Sequence, residues 1–439
     1  MDFKVEALGP RRISSPVKLS HVIGDFVPNY VDDETHVIVD PTMTGKTGSK
    51  KWSSSTSFEM AGPRETIYFD PSKVHAAIVT CGGLCPGIND VIRSVVMELW
   101  YWYGVRKITG IRYGYRGFLP EYGHDCLELT PTLVSDIHIH GGTFLGSSRG
   151  GSDTQGIVDA MERMNINMVF TIGGDGTQKG ALAIHTELKK RGLNVAVVGI
   201  PKTIDNDISF VSKTFGLETA YSVAVQAMHA AHTEAFNAYN GIGLVKLMGR
   251  DSGFIAANAA LASQHANFVL IPEVRFDLDG SNGFLEHLRK RLEQRHHAMV
   301  CVAEGAGRHL FDEDPSLMKR DASGNIKPPD IGVFLSDKIK AYMKDIGMES
   351  TLKYIDPSYL IRSAPAIPSD SIYCAILGQN AVHAAMTGKT GIVIGLWNGN
   401  YTHVPIEAVT HERKKIDPDG MFWLHVVANT GQPLQMVNE

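Results

Sequence analysis

The sequence predicts an α/β protein of two similar Rossmann-like lobes with mainly parallel sheets, preceded by an N-terminal extension. Three observations carry that expectation. Short, β-branched apolar runs alternate along the chain with longer segments of helical period. Several runs close on a glycine-containing turn, as at Gly82-Gly-Leu-Cys-Pro-Gly and Gly173-Gly-Asp-Gly. The same order of run, turn and helix occurs in both halves of the chain, although no close sequence repeat joins them. Strand and helix alternating in this way build parallel sheets covered on both faces.

Residues 1 to about 73 are mixed in character and form the extension. Lys46–Ser57, rich in Ser, Thr, Lys and Gly, is expected to be an exposed loop. Thr-Gly-Lys-Thr occurs at Thr44 and again at Thr387, but Asp40 and His383 stand where a Walker loop needs its first glycine. Both read as turns. From Val74 the pattern is regular. Val74–Thr80 is a strand, Ile88–Trp102 a helix, Lys107–Arg112 a strand and Asp153–Met164 a helix. Met168–Ile172 and Val195–Ile200 are strands flanking the helical Gln178–Arg191. Helix Glu218–Ala235, strand Ile242–Leu247, helix Phe254–Ala262 and strand Phe268–Ile271 follow. A helix near Asn282–Arg295 precedes the strand Ala298–Ala303. The pattern closes with helix Ile331–Met343, strand Leu352–Ile355, helix Ser371–Met386 and strand Gly391–Leu396.

A chain of 439 residues has room for two or three domains. A formal charge of −5 without a long basic block argues against a nucleic-acid surface. An anionic substrate must then be met by local basic residues. Five cysteines, an odd count without zinc spacing, read as reduced thiols of an intracellular protein. No run is long enough to span a membrane and no signal-peptide core is present, so a cytoplasmic location is expected.

The unit Met168–Ile200 is strand, helix, strand, which in one sheet is right-handed and parallel. Both strand ends then open on one edge, where ligands bind in such folds. One end delivers Gly173, Gly174, Asp175, Gly176 and Thr177; the other delivers Lys202, Thr203, Asp205, Asn206 and Asp207. Glycines let a nucleotide approach the backbone, and Asp175 can reach a metal riding on phosphates. Asp205 and Asp207 alternate with Asn206, so in an extended chain they face the same side. Two such carboxylates repel unless a cation or proton lies between them. One is therefore expected to coordinate magnesium while the other takes a proton from an attacking hydroxyl. Gly82-Gly-Leu-Cys-Pro-Gly, between a strand and a helix, can hold phosphate oxygens with its backbone N–H groups.

GGLCPGIN from Gly82, GGTFLGSSRG from Gly141, GGDGT from Gly173, PKTIDND from Pro201 and MGRDSG from Met248, in this order, resemble the phosphofructokinases. AGPRETIYFDPSKVHAAIVTCGGLCPGIN further resembles the long plant and trypanosomatid branch of ATP-dependent 6-phosphofructokinases. The resemblance implies transfer of the ATP γ-phosphoryl group to the 1-hydroxyl of fructose 6-phosphate, with Mg2+ on the nucleotide. It makes Asp205 the base, sets Thr203 against the transferring phosphoryl group, and gives magnesium to Asp175 and Asp207. Gly83, Tyr115, Arg149, Gly174, Asp175, Gly176 and Thr177 would form the nucleotide site. Met248, Gly249, Arg250, Glu304, Lys353, Tyr359 and Arg362 would form the sugar-phosphate site with Thr203 and Asp205. Arg250 would stabilise the transition state and Arg362 would fork onto the sugar phosphate.

The lobes implied are a nucleotide lobe of 74–216 with 361–397 and a sugar-phosphate lobe of 217–360, followed by a C-terminal segment 398–439. An allosteric homotetramer, or a homodimer, is the assembly the resemblance suggests. Departures from the bacterial pattern are Tyr359 in place of His, and Gly241 where a neighbouring subunit offers Arg. Lys353 matches the second such Arg, and Lys246 or Lys213 is left to compensate at the 6-phosphate.

Pyrophosphate-dependent members resemble GGDD where this chain has Gly176. An Asp there would crowd and repel the α-phosphate of ATP, whereas Gly leaves space. Lys202 matches the pyrophosphate enzymes, but its ammonium can neutralise a terminal phosphate of either donor. Bulk at 176 is a veto and Lys202 only an attraction, so ATP is expected. The alternatives are a pyrophosphate-dependent enzyme, another GGDGT kinase, and a catalytically silent regulatory subunit. The last would be signalled by loss of Asp205 or Asp175, and both are present.

Overall fold

The structure is a computed structural model that describes residues 1–42, 53–150, 153–311, 319–320, 326–327 and 329–438. The Thr44 copy of Thr-Gly-Lys-Thr and positions 46–52 of the expected loop lie outside the described residues. The chain forms two compact units. The first comprises Met1–Thr203, Ile208–Gly216 and Ala364–Arg413; the second comprises Ile204–Asp207, Leu217–Ser363 and Lys414–Glu439.

The first unit is built on a nine-stranded sheet. Its centre is five parallel strands in the order Ile392–Trp397, Ala196–Pro201, Met168–Gly173, His75–Thr80 and Lys107–Ile111. Every residue of His75–Thr80, Met168–Gly173 and Ala196–Pro201 is buried, as strands covered on both faces must be. Register aligns Thr80 with Ile172, and Gly173 with Pro201. The turns after these three strands therefore leave one edge of the sheet. The expected mainly parallel sheet is mixed at its margins. Asn400–Pro405, Ser57–Met60 and His36–Ile38 add antiparallel strands on one side, and Leu127–Glu128 on the other.

The continuous helix expected over Ile88–Trp102 is α-helical only over Ile88–Met97 and becomes a π-helix over Glu98–Tyr103. The wider turn brings residues five apart onto one face. Glu98, Leu99 and Tyr103 are buried there while Tyr101 and Trp102 remain exposed.

The second unit has a four-stranded sheet, all parallel, in the order Phe268–Leu270, His297–Ala303, Gly241–Leu247 and Thr351–Ile355. Ile242, Leu244, Val300 and Val302 bury their side chains with Phe284, Leu288, Leu292, Leu335 and Ile339. Helix Leu217–Phe236 lies close against this sheet. A Cβ on Gly241 would sit 2.1 Å from the Ala235 carbonyl oxygen, so no larger residue fits there. That is a local reason for the missing Arg at this position. The C-terminal segment is shared between the units: Asn400–Pro405 belongs to the first sheet, and helix Met421–Thr430 buries Trp423, Val426 and Val427 in the second unit.

Candidate active site

In the first unit three turns meet at one sheet edge. The strand His75–Thr80 ends at Cys81, and Gly82 N donates to Ser148 O at 3.0 Å while Ser147 Oγ donates to Gly82 O at 2.6 Å. The GGTFLGSSRG loop is thereby laid along the GGLCPG turn. A Cβ on Gly83 would lie 3.0 Å from Arg149 Nη2, and Lys202 Nζ donates to Gly83 O. Two basic groups thus reach the same glycine turn. Lys202 N donates to Gly173 O at 3.0 Å, which fixes the start of PKTIDND against GGDGT.

The GGDGT turn opens helix Asp175–Lys190, with Gly174 at its N-cap. Its first N–H groups lack intrahelical acceptors and attract anions. Thr177 is buried, and Tyr115, also buried, donates its hydroxyl to Thr177 O at 2.8 Å. Tyr115 therefore props the helix start from beneath. Gln178, which carried no sequence signal, is fully buried and donates Nε2 to Gly173 O at 2.9 Å. Among the described residues nothing lies within 4 Å of a Cβ built on Gly176. Asp175 Oδ2 pairs with Lys179 Nζ at 3.0 Å and with Arg413 Nη2 at 3.4 Å. Thr203 O accepts from Thr214 Oγ1 at 2.6 Å.

In the second unit the Asp205–Asp207 carboxylates are set beside the MGRDSG turn. Ser252 Oγ donates to Asp205 O at 2.8 Å, and the Arg250 backbone N–H donates to the Asp205 carboxyl. Burial, the Asp207 charge and the Glu304 charge push the Asp205 carboxyl up to about 7, against the opposing pull of Arg362 and the Arg250 N–H. The turn itself is tight. Gly305 N donates to Gly249 O at 3.0 Å, and a Cβ on Gly305 would lie 1.9 Å from Arg250 O. Glu304 N donates to Leu247 O at 2.8 Å, and Arg362 Nε reaches Met248 Sδ at 3.0 Å. Met248, Gly249, Arg250, Glu304, Arg362 and Asp205 are thus one cluster.

Tyr359, Lys353 and Lys246 belong to the second unit, and Lys213 to the first. Tyr359 is 84% exposed on the short helix Ser358–Ser363. Lys353 lies on the sheet's edge strand and pairs with Glu234 at 3.7 Å. Lys246 is held by Asp330 and by Asp356 Oδ2 at 2.8 Å, so it is engaged elsewhere. Lys213 Nζ lies 5.0 Å from the Tyr373 ring centroid.

Sequence reasoning missed Arg413 and Lys414. Lys414 Nζ donates to Asn206 Oδ1 at 3.0 Å, and its backbone N donates to Asp207 O at 3.1 Å. Burial pushes the Lys414 ammonium down to about 7, opposed by the Asp207 charge. Asn206, held in this way, has φ 56°. A close-set Asp-Asn-Asp is a weak pointer to such a lysine, because nothing near Lys414 in sequence marks it.

Among the described residues no three His, Cys, Asp or Glu side chains form a metal cage. Magnesium bound through phosphates takes only one or two protein carboxylates. Asp175 and Asp207 supply hard oxygen donors of that kind. The upward push of Asp207 on Asp205 is a repulsion that a divalent cation relieves. Each carboxylate, taken in its own unit, is of the chemical type that fits the ion.

The family model described as Phosphofructokinase matches residues 75–385. An ATP-dependent 6-phosphofructokinase of Borreliella burgdorferi is 52% identical over 444 residues, covering 100% of this chain and 98% of the relative. The ATP-dependent 6-phosphofructokinase of Trypanosoma cruzi is 44% identical, covering 97% of this chain and 87% of its own. The crystal structure of a pyrophosphate-dependent phosphofructokinase from Marinobacter aquaeolei superposes with a TM-score of 0.66 at 20% identity, covering 83% of this chain and 92% of that one. At that identity the likeness speaks for the fold alone. Motifs, turns and relatives agree, and the chain belongs to the phosphofructokinase family.

Proposed function

We propose that this chain is an ATP-dependent 6-phosphofructokinase, converting fructose 6-phosphate and MgATP to fructose 1,6-bisphosphate and ADP. The observation that carries the chemistry is the Asp205 carboxyl, raised by burial and by Asp207 and Glu304 to a value suited to a base near neutrality. Asp205 takes the proton of the sugar 1-hydroxyl as that oxygen bonds to the γ-phosphorus and the bond to the β-phosphate oxygen breaks. Arg250 neutralises the transferring phosphoryl oxygens, and Thr203 and Lys202 position them. Arg362, with Met248, Gly249 and Glu304, orients the sugar phosphate. Gly83, Arg149, Gly174, Gly176 and Thr177 offer the nucleotide a surface of backbone N–H groups and local positive charge. Asp175 and Asp207 would hold Mg2+, which would supply charge neutralisation to the phosphates.

The donor is read from Gly176. Among the described residues nothing lies within 4 Å of a Cβ built there, which leaves the α-phosphate of ATP unobstructed at this turn. Lys202, which donates to Gly83 O, serves either donor. No helix among the described residues is long and apolar enough to cross a membrane. A cytoplasmic location and assembly as a homotetramer, or a homodimer, complete the reading; the exposed edge strand bearing Lys353 is available for such assembly.

The test is a donor swap on purified protein with fructose 6-phosphate and Mg2+. ATP should give fructose 1,6-bisphosphate, and pyrophosphate should give little. Comparable rates with the two donors would overturn the donor assignment, and no product with either would overturn the activity.

A further inference from the structure

We propose that the first unit carries a second anion site, in which Arg11 and Lys389 hold the phosphoryl group of free phosphate or of a small phosphate monoester. A cavity of about 340 Å³ is lined by Arg11, Asp33, Thr66, Thr387 and Lys389. It lies away from the nucleotide turns. Those turns follow the C-terminal ends of the parallel strands, whereas Lys389–Thr390 precedes the N-terminal end of Ile392–Trp397. Its lining includes Thr387 and Lys389 of the second Thr-Gly-Lys-Thr, which does not form a Walker loop.

The charges around the cavity form an open chain that begins and ends on a cation. Arg11 Nη2 pairs with Asp33, and Arg64 Nε pairs with the same carboxylate at 2.9 Å. Arg64 Nη2 reaches Glu59 Oε1 at 3.0 Å, and Lys389 Nζ reaches Glu59 Oε2 at 2.8 Å. His403 Nδ1 also meets Glu59, at 3.1 Å, and burial pushes the imidazole down, opposed by that carboxylate. Among the described residues, Arg11, Arg64 and Lys389 thus pair with Asp33 and Glu59, three basic side chains on two carboxylates. The two terminal cations, Arg11 and Lys389, are the ones that line the cavity.

Arg11 Nη1 is buried without a hydrogen-bond partner among the described residues. A buried donor with no acceptor is costly and calls for a ligand or a water. An anion in the cavity between Arg11 and Lys389 closes the alternating ring and offsets the surplus of basic side chains. The walls are preformed. Ala7 pairs with Lys389 and Ile13 with Ile67 across short antiparallel ladders, and Leu8 N donates to Gly388 O at 2.9 Å. A guanidinium and an ammonium on one cavity suit the several oxygens of a phosphoryl group. Thr66 adds a hydroxyl to the same wall.

Calorimetric titration of the full chain with inorganic phosphate tests the site, using wild type, Arg11→Met, Lys389→Met and, as a control at the sugar-phosphate cluster, Arg362→Met. One phosphate-binding event should weaken at least about tenfold in Arg11→Met and Lys389→Met and persist in Arg362→Met, with basal turnover of Arg11→Met unchanged. Glycerol 3-phosphate run in competition separates the two sources: displacement of phosphate assigns a monoester site, and none assigns free phosphate. Lys389→Met also removes a partner of Glu59, so if it fails to fold the test rests on Arg11→Met. Crystals soaked in tungstate should show density between Arg11 and Lys389. Titration of Arg11→Met indistinguishable from wild type, or tungstate only at the nucleotide turns, would overturn the proposal.

Discussion

Asp205 is a residue whose neighbours work against its charge. Burial and the carboxylates of Asp207 and Glu304 favour the protonated form, whereas Arg362 and the Arg250 N–H favour the ionised one. A carboxyl raised in this way accepts a proton more readily than an ordinary surface Asp. Asp205→Asn keeps the shape and removes the base. Its turnover should fall by about 10²- to 10⁴-fold while the KM for fructose 6-phosphate stays within about threefold. Because the ionised form is the active one, wild-type kcat/KM should decline as pH falls through about 7, which a pH–rate profile reads directly. Near-normal turnover of the variant would remove Asp205 from the base role. The sequence made this residue legible because Asp-Asn-Asp is local. It left Lys414 and Arg413 invisible: their partners, Asn206 and Asp175, are more than 200 positions away and are chosen by tertiary packing. The partners of Lys246, Asp330 and Asp356, were hidden for the same reason, since they reach it only in the fold.

Elements were legible where one period ran long enough to be read. The central strands and the helices between them follow their expected spans closely, because fully apolar runs and helical periods are local signals. The mixed edges of the first sheet were not legible, because short antiparallel strands such as His36–Ile38 owe their state to a neighbour. Helix Asp175–Lys190 shows what an element can tolerate. A side chain at Gly176 meets nothing within 4 Å, and an acidic residue in a first helical turn is favourable. Gly176→Asp should therefore fold normally and lose ATP-dependent kcat/KM far more than any pyrophosphate-dependent activity. Equal losses with both donors would remove the steric argument.

The π-helix Glu98–Tyr103 gives a second prediction. Burial alone raises the Glu98 carboxyl to about 7, and the nearby His383, pushed down to about 3 chiefly by its own burial, supplies no charge to offset it. A carboxyl raised on folding contributes stability that is fully present below its unfolded value of 4.5 and lost as pH rises through about 7. At about 1.4 kcal/mol per pKa unit, the penalty at pH 8 is on the order of 3 kcal/mol. Glu98→Gln should thus melt near the wild-type temperature at pH 4.5 and clearly above it at pH 8. A difference that does not grow with pH would show that Glu98 is ionised in the folded state.

At the scale of the molecule, both chain ends are structural. The extension supplies Ser57–Met60 and His36–Ile38 to the first sheet, so residues 1 to 73 are more than a regulatory appendage. The other end is the sharper case, because the second unit is completed by residues after Lys414. Ile416 N donates to Glu273 Oε1 at 2.9 Å, the carboxylate oxygen that also caps Gly253 N at 3.0 Å. Gln432 Oε1 accepts from Val269 N at 2.7 Å, Met436 bridges to Phe276, and Asn438 N donates to Asp277 Oδ2 at 2.8 Å. Ile416, Trp423, Val426, Val427 and Met436 are buried. At about 1.5 to 3 kcal/mol for each apolar side chain, their loss amounts to roughly 10 kcal/mol. Net domain stability is only about 5 to 15 kcal/mol, so little margin remains. A chain ending at Arg413 keeps every motif residue, yet its second unit should fail to hold a native fold. Limited proteolysis should then cut within 217–363 while leaving the first unit resistant, and phosphoryl transfer should be absent. A truncated chain that melts cooperatively at the wild-type temperature would show that burial at the C-terminus contributes far less than these areas imply.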